Sequence, residues 1–441
     1  MGDLRPYQRE LVDSVESSVS SGHSPICCAP CGAGKTYIMR ELAEHHSDKQ
    51  MLIVAHRREL LRQTAEVLDG LDNVRLESIF TEVRHLGERG QPDLIICDEA
   101  HLSGAKSYTD TFEHYGVPVI GFTATPCRLD GKPLTAYDDL IQGLSADDLI
   151  RDGYLAPYRL YAPELYDVSR LQVRAGDYAA EDLDSVLRNS ALYGDVIAHY
   201  KRLADGQQAI AYCATVKQSE EIVQAFREAG ISARHIDGTT PDRERQEALD
   251  AFRRGEYRIL SNVNLISEGI SIPECSVVLG LRPTMSRALY IQQMSRALRY
   301  ADGKQATLID YTGNVHRHGM PSAAYTYSLD GKVKSREFDE AGMYLVRTCQ
   351  SCYGTYESRL DTCPWCGEPY TPTARELTKH AEIELAEIKA DEAAREQERL
   401  QKLRLDIRMA RSYEDFRRIA RENGYNPVWA RIRAKQRGYI R

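Results

Sequence analysis

Eight residues, Ala29-Pro30-Cys31-Gly32-Ala33-Gly34-Lys35-Thr36, join an apolar run at Pro25–Ala29 to a helix-compatible stretch at Tyr37–His46. A glycine-rich turn between a strand and a helix is the setting of a phosphate-binding loop. Glycines let backbone N–H groups wrap phosphate oxygens, and the helix N-terminus adds its positive end. Lys35 is placed to reach the β- and γ-phosphates, and the Thr36 hydroxyl to ligate Mg²⁺. Ala29 stands where the general pattern has its first glycine. A loop of this kind requires a parallel strand beside it, so it sets the fold class before any other feature is read.

The surrounding pattern agrees. Short continuous apolar runs at Met51–Ala55, Leu94–Cys97 and Val117–Phe122 alternate with helical stretches such as Glu59–Leu68. Such runs fit strands buried on both faces of a parallel sheet. A second alternating block holds Ala209–Cys213, Ala233–Ile236, Arg258–Leu260, Val277–Gly280 and Ala306–Asp310. The expected fold is α/β, with two tandem parallel-sheet domains at 1–145 and 191–330 joined by a crossover at 146–190. With 441 residues, the chain is too long for a single core.

Asp98-Glu99-Ala100-His101 directly follows one apolar run, at the strand edge where ligands bind in open α/β sheets. Adjacent acids there can divide the labour. Asp98 faces the metal shell, and Glu99 is placed to orient and deprotonate an attacking water.

Four of the 11 cysteines form two CxxC pairs, Cys349/Cys352 and Cys363/Cys366. Pro364 and Gly367 make tight turns, and four thiolates at this spacing converge tetrahedrally on Zn²⁺. The expected module is a structural zinc ribbon at 340–370 with no open position for catalysis. The other seven cysteines are scattered, and small buried residues are the simple reading.

Composition bounds the rest. The chain is 42% hydrophobic and 28% charged, which excludes a largely disordered or fibrous protein. No apolar run approaches the ~20 residues that span a bilayer, and the first residues lack a signal-peptide pattern. A cytoplasmic protein without membrane contact is expected. The net charge of -8 argues against a general basic clamp on nucleic acid. It is unevenly spread, however, since residues 371–441 hold 17 Lys and Arg against 12 Asp and Glu. Ser412 with Asp415 reads as a capping box, Gly424 as a helix stop and Asn426-Pro427 as a new start. A basic helical extension is expected at 371–441, its solvated surface as natural a reading as binding.

Taken in order, the motifs resemble those of superfamily 2 helicases of the DEAH-box type, over residues 1–320. The resemblance is to bacterial and phage DNA helicases that are RadD-like and XPB-related. It implies two RecA-like domains with nucleotide between them. Leu4-Arg5-Pro6-Tyr7-Gln8 resembles an adenine-reading motif, with Gln8 as base contact and Arg5 stacking on the base. Residues 29–36 correspond to motif I, making Ala29, Pro30, Cys31, Gly32, Ala33, Gly34, Lys35 and Thr36 ATP-binding, and Asp98–His101 correspond to motif II. Thr123-Ala124-Thr125-Pro126 resembles motif III, so His101, Thr123 and Thr125 would couple hydrolysis to motion. Ser267–Pro273 resembles motif V, with Gly269 near the nucleotide, and Gln292–Arg299 motif VI.

Under that resemblance Lys35, Asp98, Glu99, Gln292, Arg296 and Arg299 are catalytic, with Mg²⁺ held by Thr36 and Asp98. An arginine near the γ-phosphate contributes about 10³–10⁵ in rate. Arg57 and Arg58 (motif Ia), Thr81 (motif Ib) and Thr215 (motif IV) would touch the DNA backbone, although both arginines also suit an ordinary helix surface. Two positions depart from the family pattern: Ser271 replaces an Asp in motif V, and Ser295 a Gly in motif VI. The implied activity is an ATP-dependent DNA helicase or translocase of repair, recombination or replication. The zinc ribbon and tail would then add DNA contacts or dock other repair or replication proteins. The rival readings are an RNA helicase, the motor subunit of a restriction or defence complex, and a nucleic-acid-binding clamp without catalysis.

Overall fold

The computed structural model describes residues 4–56, 58–128, 131–163, 171–174, 177–179, 183, 190–265, 272, 275–330, 333–335, 346–371, 409–423 and 426–440. Met1–Pro369 form one compact unit and Tyr370–Arg441 another.

The first unit holds two six-stranded parallel sheets. Strands β1 (Pro25–Cys28), β2 (Met51–Ala55), β3 (Val74–Ser78), β4 (Leu94–Asp98), β5 (Val119–Thr123) and β6 (Asp139–Gln142) build the first, in the order β3-β2-β4-β5-β1-β6. Every residue of β1, β2 and β5 is buried, which is why these strands read as unbroken apolar runs. Alternate residues serve opposite faces. Cys27, Ile53, Ile96 and Phe122 pack with helices α1 (Pro6–Ser20) and α2 (Lys35–His45), whereas Ile26, Leu52, Val54 and Cys97 pack with Tyr108 and Phe112.

The second sheet contains β7 (Tyr158–Tyr161), then, beyond the short antiparallel pair β8 (Val173–Arg174) and β9 (Asp177–Tyr178), β10 (Ala209–Tyr212), β11 (Ala233–Ile236), β12 (Ile259–Asn262), β13 (Val277–Gly280) and β14 (Ala306–Asp310). Its order is β11-β12-β10-β13-β14-β7. The stretch 146–190 was expected to be a plain crossover, but β7 lies within it and pairs in parallel with β14, Leu160 opposite Leu308. The second sheet therefore begins at Tyr158. A four-residue edge strand with a polar, exposed member, Arg159, carries too little apolar pattern to be seen in sequence.

The chain also returns from the second sheet to the first. Past β14, the Gln142 side chain donates to the Tyr325 carbonyl (2.5 Å) and accepts from the Tyr327 N–H (3.3 Å). Leu134 N donates to Leu329 O (3.3 Å), and Asp147 N to Ser322 O (3.1 Å). Residues 322–329, expected to belong to the second domain, thus clasp the edge of the first. Within this stretch β15 (Tyr325–Tyr327) pairs antiparallel with β16 (Val333–Ser335), and β17 (Val346–Thr348) with β18 (Thr355–Glu357) forms another such pair.

The cysteine module rests on β7. Ala162 N donates to Tyr353 O (2.9 Å), and Tyr161 bridges Gly354. Arg159 lies over the Trp365 ring at 5.4 Å, and the Thr348 hydroxyl is 3.0 Å from His316 Nε2. In the C-terminal unit the expected helices appear at Tyr413–Glu422 and Pro427–Gln436. The helical stripe of Leu377, Ala381, Leu385 and Ile388 lies outside the described residues. Among the described residues no helix is long and apolar enough to cross a membrane.

Candidate active site

The phosphate loop leaves β1 and enters α2 through two left-handed glycines, Gly32 (φ 85°) and Gly34 (φ 81°). Space and backbone both demand glycine here. A Cβ on Gly32 would lie 2.9 Å from Leu155 Cδ2, and one on Gly34 would collide with the Gln8 amide. Ala29, at the base of the loop, donates its N–H to Thr123 O (3.0 Å), so the loop is tied to the end of β5. Lys35 Nζ donates back to Ala29 O (3.2 Å) and Pro30 O (3.5 Å). Burial works against the lysine charge, but Cys31, Glu99 and Asp98 outweigh it and the ammonium titrates above its ordinary value. Thr36 follows Lys35 in the first turn of α2.

Asp98 closes β4, and Glu99 adopts the left-handed region at φ 50°, which is uncommon for a non-glycine residue and a mark of a constrained functional turn. The Glu99 N–H donates to Asp98 Oδ1 (2.9 Å). Burial pushes the Asp98 carboxyl up from the usual carboxylate range, and the Glu99 charge adds to the effect. Glu99 is also opposed by burial, yet His101, Lys35 and Arg296 together hold its carboxyl below that range. The two acids are therefore driven apart, one ready to gain a cation as neighbour and the other held ionised as a base. His101 Nδ1 lies 3.4 Å from Glu99 Oε2 and 3.1 Å from Thr123 Oγ1. Thr123 Oγ1 in turn accepts the Thr125 N–H (3.2 Å). A continuous line of contacts runs from Glu99 through His101 to Thr123 and Thr125.

The second sheet supplies the opposite wall. Gln292 comes from the helix Arg287–Met294, and Arg296 from the 3₁₀ turn Ser295–Leu298 after it. Gln292 Nε2 reaches Glu99 Oε2 at 3.4 Å. Arg299 runs its side chain past Gly32, and Leu298 O accepts the Ala156 N–H (2.8 Å). Burial, then the charge of Arg296, lowers Arg299 to about 10, so it stays a cation near neutral pH. Lys35, Asp98, Glu99, Gln292, Arg296 and Arg299 are thus gathered at one cleft.

At the far end of the loop, Gln8 is fixed on both sides. Its Oε1 accepts the Arg5 N–H (2.9 Å) and its Nε2 donates to Ala33 O (2.9 Å). Tyr7 OH donates to the same carbonyl (2.9 Å). The Arg5 guanidinium stands 4.9 Å over the Tyr154 ring and donates to Tyr154 O (3.3 Å). Sequence reasoning missed Tyr154, which sits 149 positions from Arg5 in a turn with no motif of its own.

The residues expected to touch DNA are less gathered. Arg57 and Gly269 lie outside the described residues, as does Ser271, and for Arg58 only its place at the start of the helix Arg58–Val67 is described. Thr81 sits in the short helix Ile79–Glu82, its N–H donated to Ser78 Oγ (3.1 Å). Behind it the buried Glu82 carboxylate accepts from Arg75 (2.8 Å), Arg89 (3.3 Å) and Tyr115 (2.6 Å). The Thr215 hydroxyl accepts the Gln218 N–H (3.2 Å), a helix cap that accounts for a threonine at that position.

The four ribbon thiols all lie within 4.8 Å of one another. Cys349 and Cys366 are 3.6 Å apart, and Cys352 and Cys363 are 3.7 Å apart. Ligands about 2.3 Å from a tetrahedral Zn²⁺ stand about 3.8 Å from each other, so the donor set fits that ion. Backbone left-handed turns at Tyr353 (φ 61°) and Gly367 (φ 78°) fold the two CxxC segments back.

Residues 192–301 match the family model described as helicase conserved C-terminal domain. Residues 1–78 and 74–128 match the type III restriction enzyme, res subunit, model. A 51.5 kDa protein of a Lactococcus phage is 34% identical over 371 residues, covering 81% of each chain. The DNA 3'-5' helicase XPB of Mycobacterium tuberculosis is 28% identical, over 68% of this chain and 59% of its own length. The fold is similar to that of the ATP-dependent Type ISP restriction-modification enzyme LlaBIII bound to DNA. That likeness has a TM-score of 0.55 and 19% identity, and covers 70% of this chain and 27% of that one.

Proposed function

This chain belongs to the superfamily 2 helicases, a family of ATP-hydrolysing enzymes, and on that premise we propose that it is a DNA-stimulated ATPase that translocates on or unwinds DNA in repair, recombination or replication. The observation that carries the reading is the reach of Gln292 in the second domain to Glu99 in the first (3.4 Å). Hydrolysis on this surface depends on both sheets being together.

The chain's own groups divide the work. Backbone N–H groups of residues 32–36 and Lys35 hold phosphate oxygens. Gln8, fixed by Ala33 and Arg5, reads the base edge. Glu99 takes the proton from the attacking water, kept ionised by His101, Lys35 and Arg296. Arg296 and Arg299 offset the charge that develops on the transferred phosphoryl group. Thr36 and Asp98 would hold Mg²⁺, which neutralises phosphate charge when bound; an Asp98 carboxyl raised by burial and by Glu99 is suited to a cationic neighbour. The line from Glu99 through His101 and Thr123 to Thr125 carries the state of the cleft to the strand end, where nucleic acid would lie. The four ribbon thiolates would hold a structural Zn²⁺.

ATPase rate measured without polymer and with ssDNA, dsDNA, forked DNA or RNA tests this reading, alongside Lys35→Ala and Glu99→Gln. DNA should stimulate hydrolysis, and either substitution should abolish it. Stimulation by RNA alone, by no polymer, or hydrolysis indifferent to both substitutions would overturn it. A second reading, the motor of a restriction assembly, is favoured by the match of residues 1–128 to a restriction res-subunit model. It predicts DNA cleavage only on addition of a separate nuclease subunit.

A further inference from the structure

The C-terminal unit contains a small closed structure with a charge pattern unlike the rest of the chain. Phe416, Ile419, Ala420, Ala430 and Ala434 are buried between the helices Tyr413–Glu422 and Pro427–Gln436. Ser412 caps the first helix through Asp415 (3.1 Å), and Tyr439 closes the other end by donating to Ala410 O (3.4 Å). Alanines at 430 and 434 let the helices approach closely, so the hairpin holds together without a large core.

Two of its three acids are already engaged. Asp415 accepts from Ser412 (2.9 Å) and Arg411 N (3.0 Å), and Glu414 pairs with Arg417 (3.3 Å). From Asn423 to the C-terminus the sequence holds five cations and no acidic residue. Arg431, Arg433, Lys435 and Arg437 are all exposed. At 100° per residue, Arg431 and Lys435 flank one side of the outward ridge and Arg433 and Arg437 the other. Between them Ile432 is 53% exposed.

Like charges four apart on a helix are destabilising. Surface helices elsewhere in this chain offset a cation with an acid at that spacing, as in Arg40–Glu44, Lys217–Glu221 and Arg243–Glu247. Here both i,i+4 pairs are cation against cation, in a chain whose net charge is -8. A merely solvated face does not need that arrangement. A polyanion relieves it.

We infer that the helix Pro427–Gln436, with Arg437, is a second nucleic-acid contact that grips the phosphate backbone with residues other than those of the motor cleft. The choice of nucleic acid as the polyanion rests on the function proposed above. Arg431 to Arg437 span about 9 Å along the helix axis, the reach of two to three phosphates of one strand. Contacts of this type carry no sequence preference.

The test uses the full chain with Arg431, Arg433, Lys435 and Arg437 all changed to Gln, and a companion with all four as Lys. Binding of a labelled duplex, of a single strand and of polyglutamate is measured without nucleotide across a salt series. The Gln variant should lower the slope of log K against log[salt] by about two to three, and the Lys variant should keep it. Both should retain the basal ATPase and the thermal midpoint. An unchanged slope with DNA-stimulated ATPase intact would overturn this inference alone. A lowered slope in a protein that no polymer stimulates would sustain it and overturn the motor reading instead. Loss of polyglutamate binding with an unchanged DNA slope would assign the surface to an acidic protein and also overturn it.

Discussion

Gln292 Nε2 lies 3.4 Å from Glu99 Oε2, joining the carboxylate that would activate water to a helix of the other sheet. The amide donates and cannot take the proton, so it orients the base without competing for its chemistry. Gln292→Ala should lower polymer-stimulated kcat about tenfold, the equivalent of about 1.4 kcal/mol, with the KM for ATP nearly unchanged. Gln292→Glu should be worse than Ala, because it sets a second carboxylate against Glu99. Steady-state kinetics with saturating DNA read both. A KM effect with normal kcat would assign Gln292 to nucleotide binding instead.

Tyr154 supports Arg5 through its ring and its carbonyl. A cation over a half-buried ring contributes about 1 kcal/mol. Tyr154→Ala should therefore raise the KM for ATP about three- to tenfold and leave kcat alone. Tyr154→Phe should behave as wild type, since the phenolic oxygen is not what Arg5 uses. Preference for ATP over GTP should survive in both, because Gln8 keeps its partners.

Removal of zinc should be felt beyond the ribbon. Tyr353 and Gly354, between the two CxxC segments, carry the bonds to Ala162 and Tyr161 of the second domain. Chelation at neutral pH should release about one Zn²⁺ per chain and lower the thermal midpoint. Cys363→Ser should reproduce the shift. A preparation that carries no zinc, or a midpoint indifferent to chelator, would count against four-thiolate ligation.

His318 is buried, donates from Nε2 to Thr284 O (2.9 Å), and is lowered by burial to about 4. Its folded-state value lies below the unfolded one of about 6.5, so the unfolded chain binds the extra proton between those values. Stability from this group is complete above about pH 6.5 and is lost as pH falls towards 4, with a slope of up to about 1.4 kcal/mol per pH unit. His318→Gln should be less stable at pH 7 yet flatten the acid limb of a denaturation series. An acid limb as steep as wild type would refute the assignment.

How much of this was legible in sequence follows the range of the interactions. The phosphate loop, Asp98-Glu99 and the four ribbon cysteines are local patterns whose spacing dictates geometry, and each set is brought together in the fold. Gln292, Arg296 and Arg299 were found through the family resemblance, and their convergence on Glu99 and Gly32 is a tertiary fact. Tyr154, strand β7 and the Gln142 clasp had no sequence signal. Each depends on a partner more than a hundred residues away, and none has periodicity or a motif to announce it. Thr215 shows the opposite case: a residue singled out by resemblance also has an ordinary structural task as a helix cap.

The return of residues 322–329 to the edge of β6 has a mechanical consequence. Besides the covalent passage from β6 to β7, the two halves are joined on this side by the clasp of Gln142 on Tyr325 and Tyr327 and by the Leu134–Leu329 and Asp147–Ser322 bonds. A pair of bodies joined at one point can swivel; joined along a seam, they open like a book. An opening of the cleft about that seam would spare these bonds, and a twist across it would not.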